Sequence, residues 1–515
     1  MARFPPNTEQ NFIVYSKPKF SRRGFLSLSG GLGLAHAAGA KPRSLWLGDS
    51  LIEEAYEAAA SQNVLAAVNP RVFPGYFSVC ADGKGFGYGN TYPSLDGHQL
   101  TDALIWLGEV DVARENWAYV KSFQKSDGGL PLAILPSLEG KRAGPAGYQT
   151  EVAANGGLYK HWVPGNPLAA LASPTYIQNA DVIYRRTLDT AWLKSQIASI
   201  NLAADFLARL TSKDGAVGGS GYYVERPTRL GCDGVTQPHA VDAFHKAAAL
   251  NRVVGDPKTA GQYDAIADRI RGYFISRFWK KDHFAEYLHP ERGLIDSHGL
   301  SDTNWAALAF GTLTPEQEAL LWPKMKNETR FYYGGMPTGI ATEPDSYQPW
   351  EFTYPDRMDV AAMGRVWYLE CQARARMGDA EGLIASIRKV CQVGRDSGYY
   401  WRERYGPKGG YGAQKYCEYP ANLIRIVQRF VLGTQFHLNG TIKLAPIVPD
   451  AWWDRGFGQV LAWRDRRLEY RMRRKSISGT YTGRSPQKLA VRFAGRQTAT
   501  LTLPASPGKP RHFEM

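Results

Sequence analysis

The chain has 515 residues, 44% of them hydrophobic and 21% charged, with a formal charge of +14. That length holds two or three domains, or one large toroid or barrel with an appendage, and the lack of any apolar run of about 18 residues excludes a membrane-spanning helix. Five widely spaced cysteines without a C-x-x-C pair or a Cys/His cluster argue against zinc; no metal or other cofactor is expected.

The first forty residues read as an export signal. Ser21-Arg22-Arg23-Gly24-Phe25-Leu26 precedes a weakly apolar, glycine-rich stretch and the small-residue triplets Ala35-His36-Ala37 and Ala38-Gly39-Ala40. That order is the one found in twin-arginine signals, which implies a periplasmic or secreted protein. Residues 41–92 are expected to form an irregular packing arm.

From about residue 93 to 435 the chain is repetitively helical. Leu100, Leu104 and Leu107 recur at helical spacing before Gly108-Glu109, and helix, tight turn and helix recur around Leu188-Asp189, Gly255-Asp256 and Gly378-Asp379. Glycine suits the left-handed end of one helix and Asp the N-cap of the next. Eleven or twelve helices with long, irregular, aromatic connections suit six hairpins closed into a ring better than an open solenoid. The predicted architecture is mainly α, an (α/α)6 toroid.

The pattern changes after Gly433. Thr441–Leu444, Arg467–Met472, Leu489–Phe493 and Ala499–Leu503 alternate or concentrate apolar residues between turn residues, predicting a small C-terminal β-sandwich-like domain over 436–515. Much of the positive charge lies here, where Arg467, Arg471 and Arg473 alternate with Leu468, Tyr470 and Met472. This is the pattern of a solvated strand face, so nucleic acid is not an expected partner.

Three stretches could carry chemistry. Asp233 lies in the turn Gly231-Cys232-Asp233-Gly234, before a predicted helix. Gly334-Gly335-Met336-Pro337-Thr338 leads to Tyr347-Gln348-Pro349-Trp350-Glu351. Gly398–Glu418 packs Trp401, Arg402, Glu403, Tyr405, a glycine-rich turn and Glu418 between two helices. No Ser-His-Asp pattern, phosphate loop or metal-ligand spacing competes. Paired carboxylates amid aromatic rings suit glycosidic-bond hydrolysis, which needs one carboxylic acid and one carboxylate. The 14 Trp and 28 Tyr suit sugar stacking.

Taken together, these motifs resemble the toroidal glycosidases of the trehalase and processing α-glucosidase type, glycoside hydrolase families 37 and 63. There a Gly-x-Asp turn carries the general acid, a G-G-x-P-T segment leads to a Gln-Trp motif, and a late E-x-Y segment before a glycine-rich turn carries the base. The chain departs from the trehalase pattern at Trp350-Glu351 and Pro355-Asp356-Arg357. Its tail, with Leu444-Ala445-Pro446-Ile447-Val448-Pro449 before Trp452, resembles that of toroidal α-L-rhamnosidases.

The resemblance implies an exo-acting, inverting glycoside hydrolase that removes a terminal, α-glucoside-like sugar from an oligosaccharide or glycan. Asp233 would be the acid and Glu403 the base, with Glu418, Glu351 and Asp96 as alternative carboxylates. Trp350, Trp401 and Tyr347 are expected to stack on sugar rings, and Gln348 and Arg402 to read hydroxyls. An α-L-rhamnosidase-like enzyme, a polysaccharide lyase on the same toroid and a non-catalytic glycan-binding protein are the alternatives. The protein is expected to be a monomer.

Overall fold

Local chemistry sets the helix pairs. Gly255 ends one helix at φ +89°, and Asp256 caps the next by accepting the Thr259 N–H at 3.0 Å, with Pro257 in its first turn. Gly378 and Asp379 repeat the device, as does Asp189 after Leu188, which takes a positive φ without being glycine. All three predicted turns are therefore present. The computed structural model describes residues 44–83, 92–131, 133–134, 149–152, 158–161, 169–218, 229, 231–352, 360–496 and 498–515; the predicted export signal lies outside them.

The toroid is assembled from helices α1 (Ser50–Ala58), α2 (Ser94–Trp106), α3 (Val110–Lys121), α4 (Ala169–Thr187), α5 (Thr190–Arg209) and α6 (Thr236–Val254), and then α7 (Pro257–Arg277), α8 (Asp302–Phe310), α9 (Pro315–Lys326), α10 (Gly364–Met377), α11 (Ala380–Asp396) and α12 (Glu418–Ile426). The even-numbered helices pack side by side in chain order, and α12 returns to α2, closing an inner ring of six. The odd-numbered helices lie outside it. Inner α6 is buried along most of its length, with Ala240, Ala243, Ala247 and Ala248 allowing close approach of its neighbours.

The segment expected to be an irregular arm supplies a member of the outer layer. Leu51, Ile52, Ala55 and Tyr56 recur at helical spacing and are buried. This helix packs on α11, and its π-helical continuation Ala59–Val64 packs on α12, so residues 50–64 complete the twelfth helix.

Each inner helix from α2 to α10 passes to its outer partner through a short turn, whereas each outer helix reaches the next inner one through a long connection. The long connections therefore gather at the N-terminal ends of the inner helices, and that end of the ring is where loops can present chemistry.

The C-terminal part forms two sheets, as expected. Strands Leu45–Trp46, Phe457–Trp463, Arg466–Met472, Ile477–Gly483 and Ser506–Glu514 form one in that order, and Thr434–Phe436, Ile442–Leu444, Gln487–Arg492 and Thr498–Leu503 the other. Leu468, Tyr470 and Met472 are buried, whereas Arg467 and Arg471 point to solvent. All five cysteines are buried and unpaired. No described helix is long and apolar enough to cross a membrane.

Candidate active site

Carboxylates concentrate at the loop end of the ring in two groups. The first surrounds Arg229, a guanidinium with almost no solvent exposure. Its Nη1 donates to Asp233 Oδ1 at 2.9 Å, its Nη2 to Asp302 Oδ1 at 2.7 Å and its Nε to Glu286 Oε1 at 2.9 Å. Asp233 follows a glycine that only a bare backbone fits: a Cβ on Gly231, at φ +88°, would lie 2.4 Å from the Leu288 carbonyl oxygen. Asp233 Oδ2 accepts the Thr236 N–H and hydroxyl at 2.9 and 2.8 Å, so this residue also caps α6.

The group extends outward through charge-assisted hydrogen bonds. His298 Nδ1 lies 2.5 Å from Glu286 Oε2, and its Nε2 3.2 Å from Glu351. Burial works against a charged imidazole here, but the bonds to Glu286 and Glu351 overcome it and raise the His298 pKa to about 9. Asp302 behaves oppositely: burial outweighs the attraction of Arg229, Glu286 and Asp233 add repulsion, and its pKa rises to about 7. Its Oδ2 has no hydrogen-bond partner among the described residues. Below about pH 7, then, Asp302 is a carboxylic acid within this group.

The second group lies across the ring, around α12 and α2. Glu418 opens α12 and is bound by the Arg365 backbone N–H and guanidinium, Nε lying 3.0 Å away. Asp96, in the first turn of α2, accepts the Tyr416 hydroxyl at 2.8 Å; burial, opposed by Arg365 and reinforced by Glu418, raises its pKa to about 7. Glu403 precedes a two-stranded hairpin, Arg404–Gly406 with Gly409–Tyr411. Its backbone N–H donates to the Ala413 carbonyl at 3.0 Å, and its Oε2 accepts the Ala413 N–H at 2.9 Å. Gly412, at φ +76°, leaves room for this carboxylate; a Cβ there would lie 2.7 Å from Glu403 Oε2.

Other sequence expectations require correction. Trp401 is fully buried, donates its indole N–H to the Val390 carbonyl, and packs so tightly on α11 that a Cβ at Gly394 would lie 2.2 Å from its ring; it is core, not a sugar platform. Tyr347 stacks on the His298 imidazole with centroids 3.7 Å apart and donates to Glu286, so its ring is also occupied. Glu351 accepts from Tyr287, His298 and the Gln348 backbone N–H. Glu418 is likewise tied to Arg365.

Trp350 is exposed, flanked by Arg292 at 4.1 Å and by the edge of His289. Gln348 is exposed and its amide bonds the Ser346 carbonyl. Arg402 is half-buried, its backbone N–H bonded to the Tyr405 hydroxyl. Pro355-Asp356-Arg357 lie outside the described residues. Sequence reading missed Glu286, His298, Asp302 and Arg365. Arg229, four residues before Asp233, was the one local signal of the knot. Among the described residues no group of three or more His, Cys, Asp or Glu is arranged to hold a metal ion.

No family model matches the sequence, and no curated protein matches it. Solved structures do match in fold. A glycoside hydrolase family 78 rhamnosidase of a Bacillus species superposes with a TM-score of 0.62 at 12% identity, over 88% of this chain and 42% of the other. An α-L-rhamnosidase from Dictyoglumus thermophilum gives 0.60 at 12% identity, over 92% and 50%. A family 63 mannosylglycerate hydrolase from Thermus thermophilus gives 0.52 at 12%, over 73% of this chain and 99% of the other. The chain spans about half the length of those two rhamnosidases. Its fold is that of the toroidal glycoside hydrolases, as the sequence motifs implied.

Proposed function

We propose that the protein is an exo-acting glycoside hydrolase that works with inversion, Asp233 serving as the acid and Glu403 as the base. The observation that supports this reading is that Asp233 and Glu403 belong to connections entering helices on opposite sides of the ring. Asp233 stands at the start of α6 and Glu403 in the connection to α12, and α6 and α12 are three places apart in a ring of six. With neighbouring inner axes about 8–10 Å apart, opposite axes are roughly 16–20 Å apart. An inverting pair needs a gap of about 6.5–9.5 Å for an attacking water, which fits within that span.

In this mechanism a terminal sugar enters the mouth with its glycosidic oxygen toward Asp233, and Glu403 takes a proton from water on the opposite face. Asp302, protonated up to about pH 7 beside Arg229, keeps the knot from carrying its full negative charge. Trp350 offers the exposed aromatic face for an entering sugar. A pit closed by the ring favours action on a chain end, and the folds of the matched glycosidases support a carbohydrate substrate.

The test is the purified protein against aryl glycosides and disaccharides, with NMR of the first-formed anomer. Release of a sugar of inverted configuration supports the reading. Retention of configuration, or an unsaturated product absorbing in the ultraviolet, overturns it.

A further inference from the structure

The ring has a second opening, at the C-terminal ends of its inner helices and against the β domain. A chamber of about 490 Å³ opens at this end and runs inward to His98, His239 and Arg365, near the N-terminal ends of α2, α6 and α10; its volume is within the size range of ligand pockets. It is reached past the exposed rim residues His245 and Gln435.

Its charges do not balance. Asp181 is matched by Arg185 at 2.8 Å, Asp242 by Lys246, and Asp102 by Arg429 at 2.7 Å. Arg425 shares Asp102 at 2.8 Å, and Arg186 has no carboxylate partner among the described residues. Histidine adds no charge, since burial and Arg425 hold His98 at a pKa of about 3. Cations in the last turns of helices answer the negative ends of the helix dipoles, which accounts for Arg185 at the partly exposed rim. It does not account for Arg186, which is 2% exposed. One guanidinium nitrogen of Arg186 reaches the Ala462 carbonyl and its plane lies over the Phe436 ring at 4.5 Å, while Nε and Nη1 find no hydrogen-bond partner among the described residues.

The other unfilled groups lining the chamber are mostly donors: Gln99 Nε2 and Trp106 Nε1, against the acceptor Gln178 Oε1. The Nε and Nη1 donors lie on different sides of the guanidinium, because Nη2, which bonds Ala462, is the atom both two-donor edges share, so each offers a single charge-assisted hydrogen bond to an oxygen of a carboxylate or phosphate. We propose that this chamber is a binding site for a small organic oxyanion of sugar size, such as a uronate or a sugar phosphate, held by the unfilled Nε and Nη1 donors of Arg186. The proposal does not depend on the glycosidase reading.

Calorimetric titration of the full chain with glucuronate, glucose 6-phosphate, inorganic phosphate and neutral glucose tests the proposal. At least one anion is expected to bind saturably, with glucose at least about tenfold weaker. Preference for glucuronate identifies a carboxylate ligand, and preference for the phosphates identifies a phosphate ester. Arg186→Gln, which removes an unpaired cation, is expected to weaken the anion about tenfold or more. Arg186→Lys keeps the charge, loses the guanidinium Nε and Nη1 donors, and gives the same reading should Arg186→Gln not fold. Glu403→Gln separates the two ends of the ring, because binding in the chamber is unchanged by it. Absence of saturable anion binding, affinity unchanged in the Arg186 variants, or affinity lost in Glu403→Gln overturns the proposal.

Discussion

Arg229 and Asp233 form an ion pair four residues apart, Nη1 to Oδ1 at 2.9 Å, with both side chains sealed from solvent. The same guanidinium binds Glu286 and Asp302, so the residue that begins α6 is fixed by a charge shared among three carboxylates. Removing one partner of a buried pair costs about 3–5 kcal/mol, because the remaining charge is stranded. Arg229→Met strands three carboxylates and is expected to lose at least that much in urea denaturation. A loss below about 1 kcal/mol, the value of an exposed pair, would show that the knot does not stabilise the fold.

Turnover separates Glu403 from its neighbours. Glu403→Gln keeps the acceptor for the Ala413 N–H and is expected to fold normally while losing about 10²–10⁴-fold in kcat. Asp233→Asn preserves the cap on Thr236 and is expected to lose a similar factor. Steady-state kinetics on the best aryl glycoside, beside a circular dichroism melt, checks both; wild-type turnover in either variant removes that residue from the mechanism.

The Asp302 carboxyl gives stability a distinctive pH dependence. Folded, it holds its proton to about pH 7, whereas an unfolded Asp ionises near 3.9. Between those values the folded state binds the extra proton, so this residue's contribution to stability declines as pH rises from about 4 to about 7 and is level above. Asp302→Asn removes the titration. Relative to wild type, the variant should gain in urea midpoint between about pH 4.5 and about pH 8; a difference that is flat or moves the other way contradicts a raised Asp302.

The two tryptophans of the aromatic loops should respond oppositely. Trp401→Ala empties a core position and is expected to cost about 3–5 kcal/mol. Trp350 is 40% exposed, and Trp350→Ala is expected to stay within about 0.5 kcal/mol of wild type while raising KM. Thermal melts and KM values distinguish core from sugar platform in one experiment.

Legibility in the sequence followed the range of the interactions. The turns at Gly255-Asp256 and Gly378-Asp379 could be read because a left-handed glycine and a capping Asp act on immediate neighbours. The alternation around Leu468 and Tyr470 likewise announced a two-faced strand. Arg229 could not be given its role, because Glu286 and Asp302 lie 57 and 73 residues further on. Trp401 misled for the same reason: an aromatic in a glycine-rich loop looks available until the packing surface of α11 is known. Helix α1 was missed because its partners lie at the far end of the helical region.

That last pairing has a consequence for how the molecule comes to be. The Asn63 side chain bonds the Tyr399 carbonyl, 336 positions away, and Leu45–Trp46 pairs with Phe457–Trp463. Neither contact can form on the ribosome until nearly the whole chain has been made, so the earliest helix waits longest for its partners. Contacts of such separation slow folding, and a chain halted before residue 380 would leave the apolar sides of α1 and α2 without α11 and α12 to cover them. During synthesis ring closure thus waits for α12, and a protease or chaperone acting on nascent chains meets the open ring first.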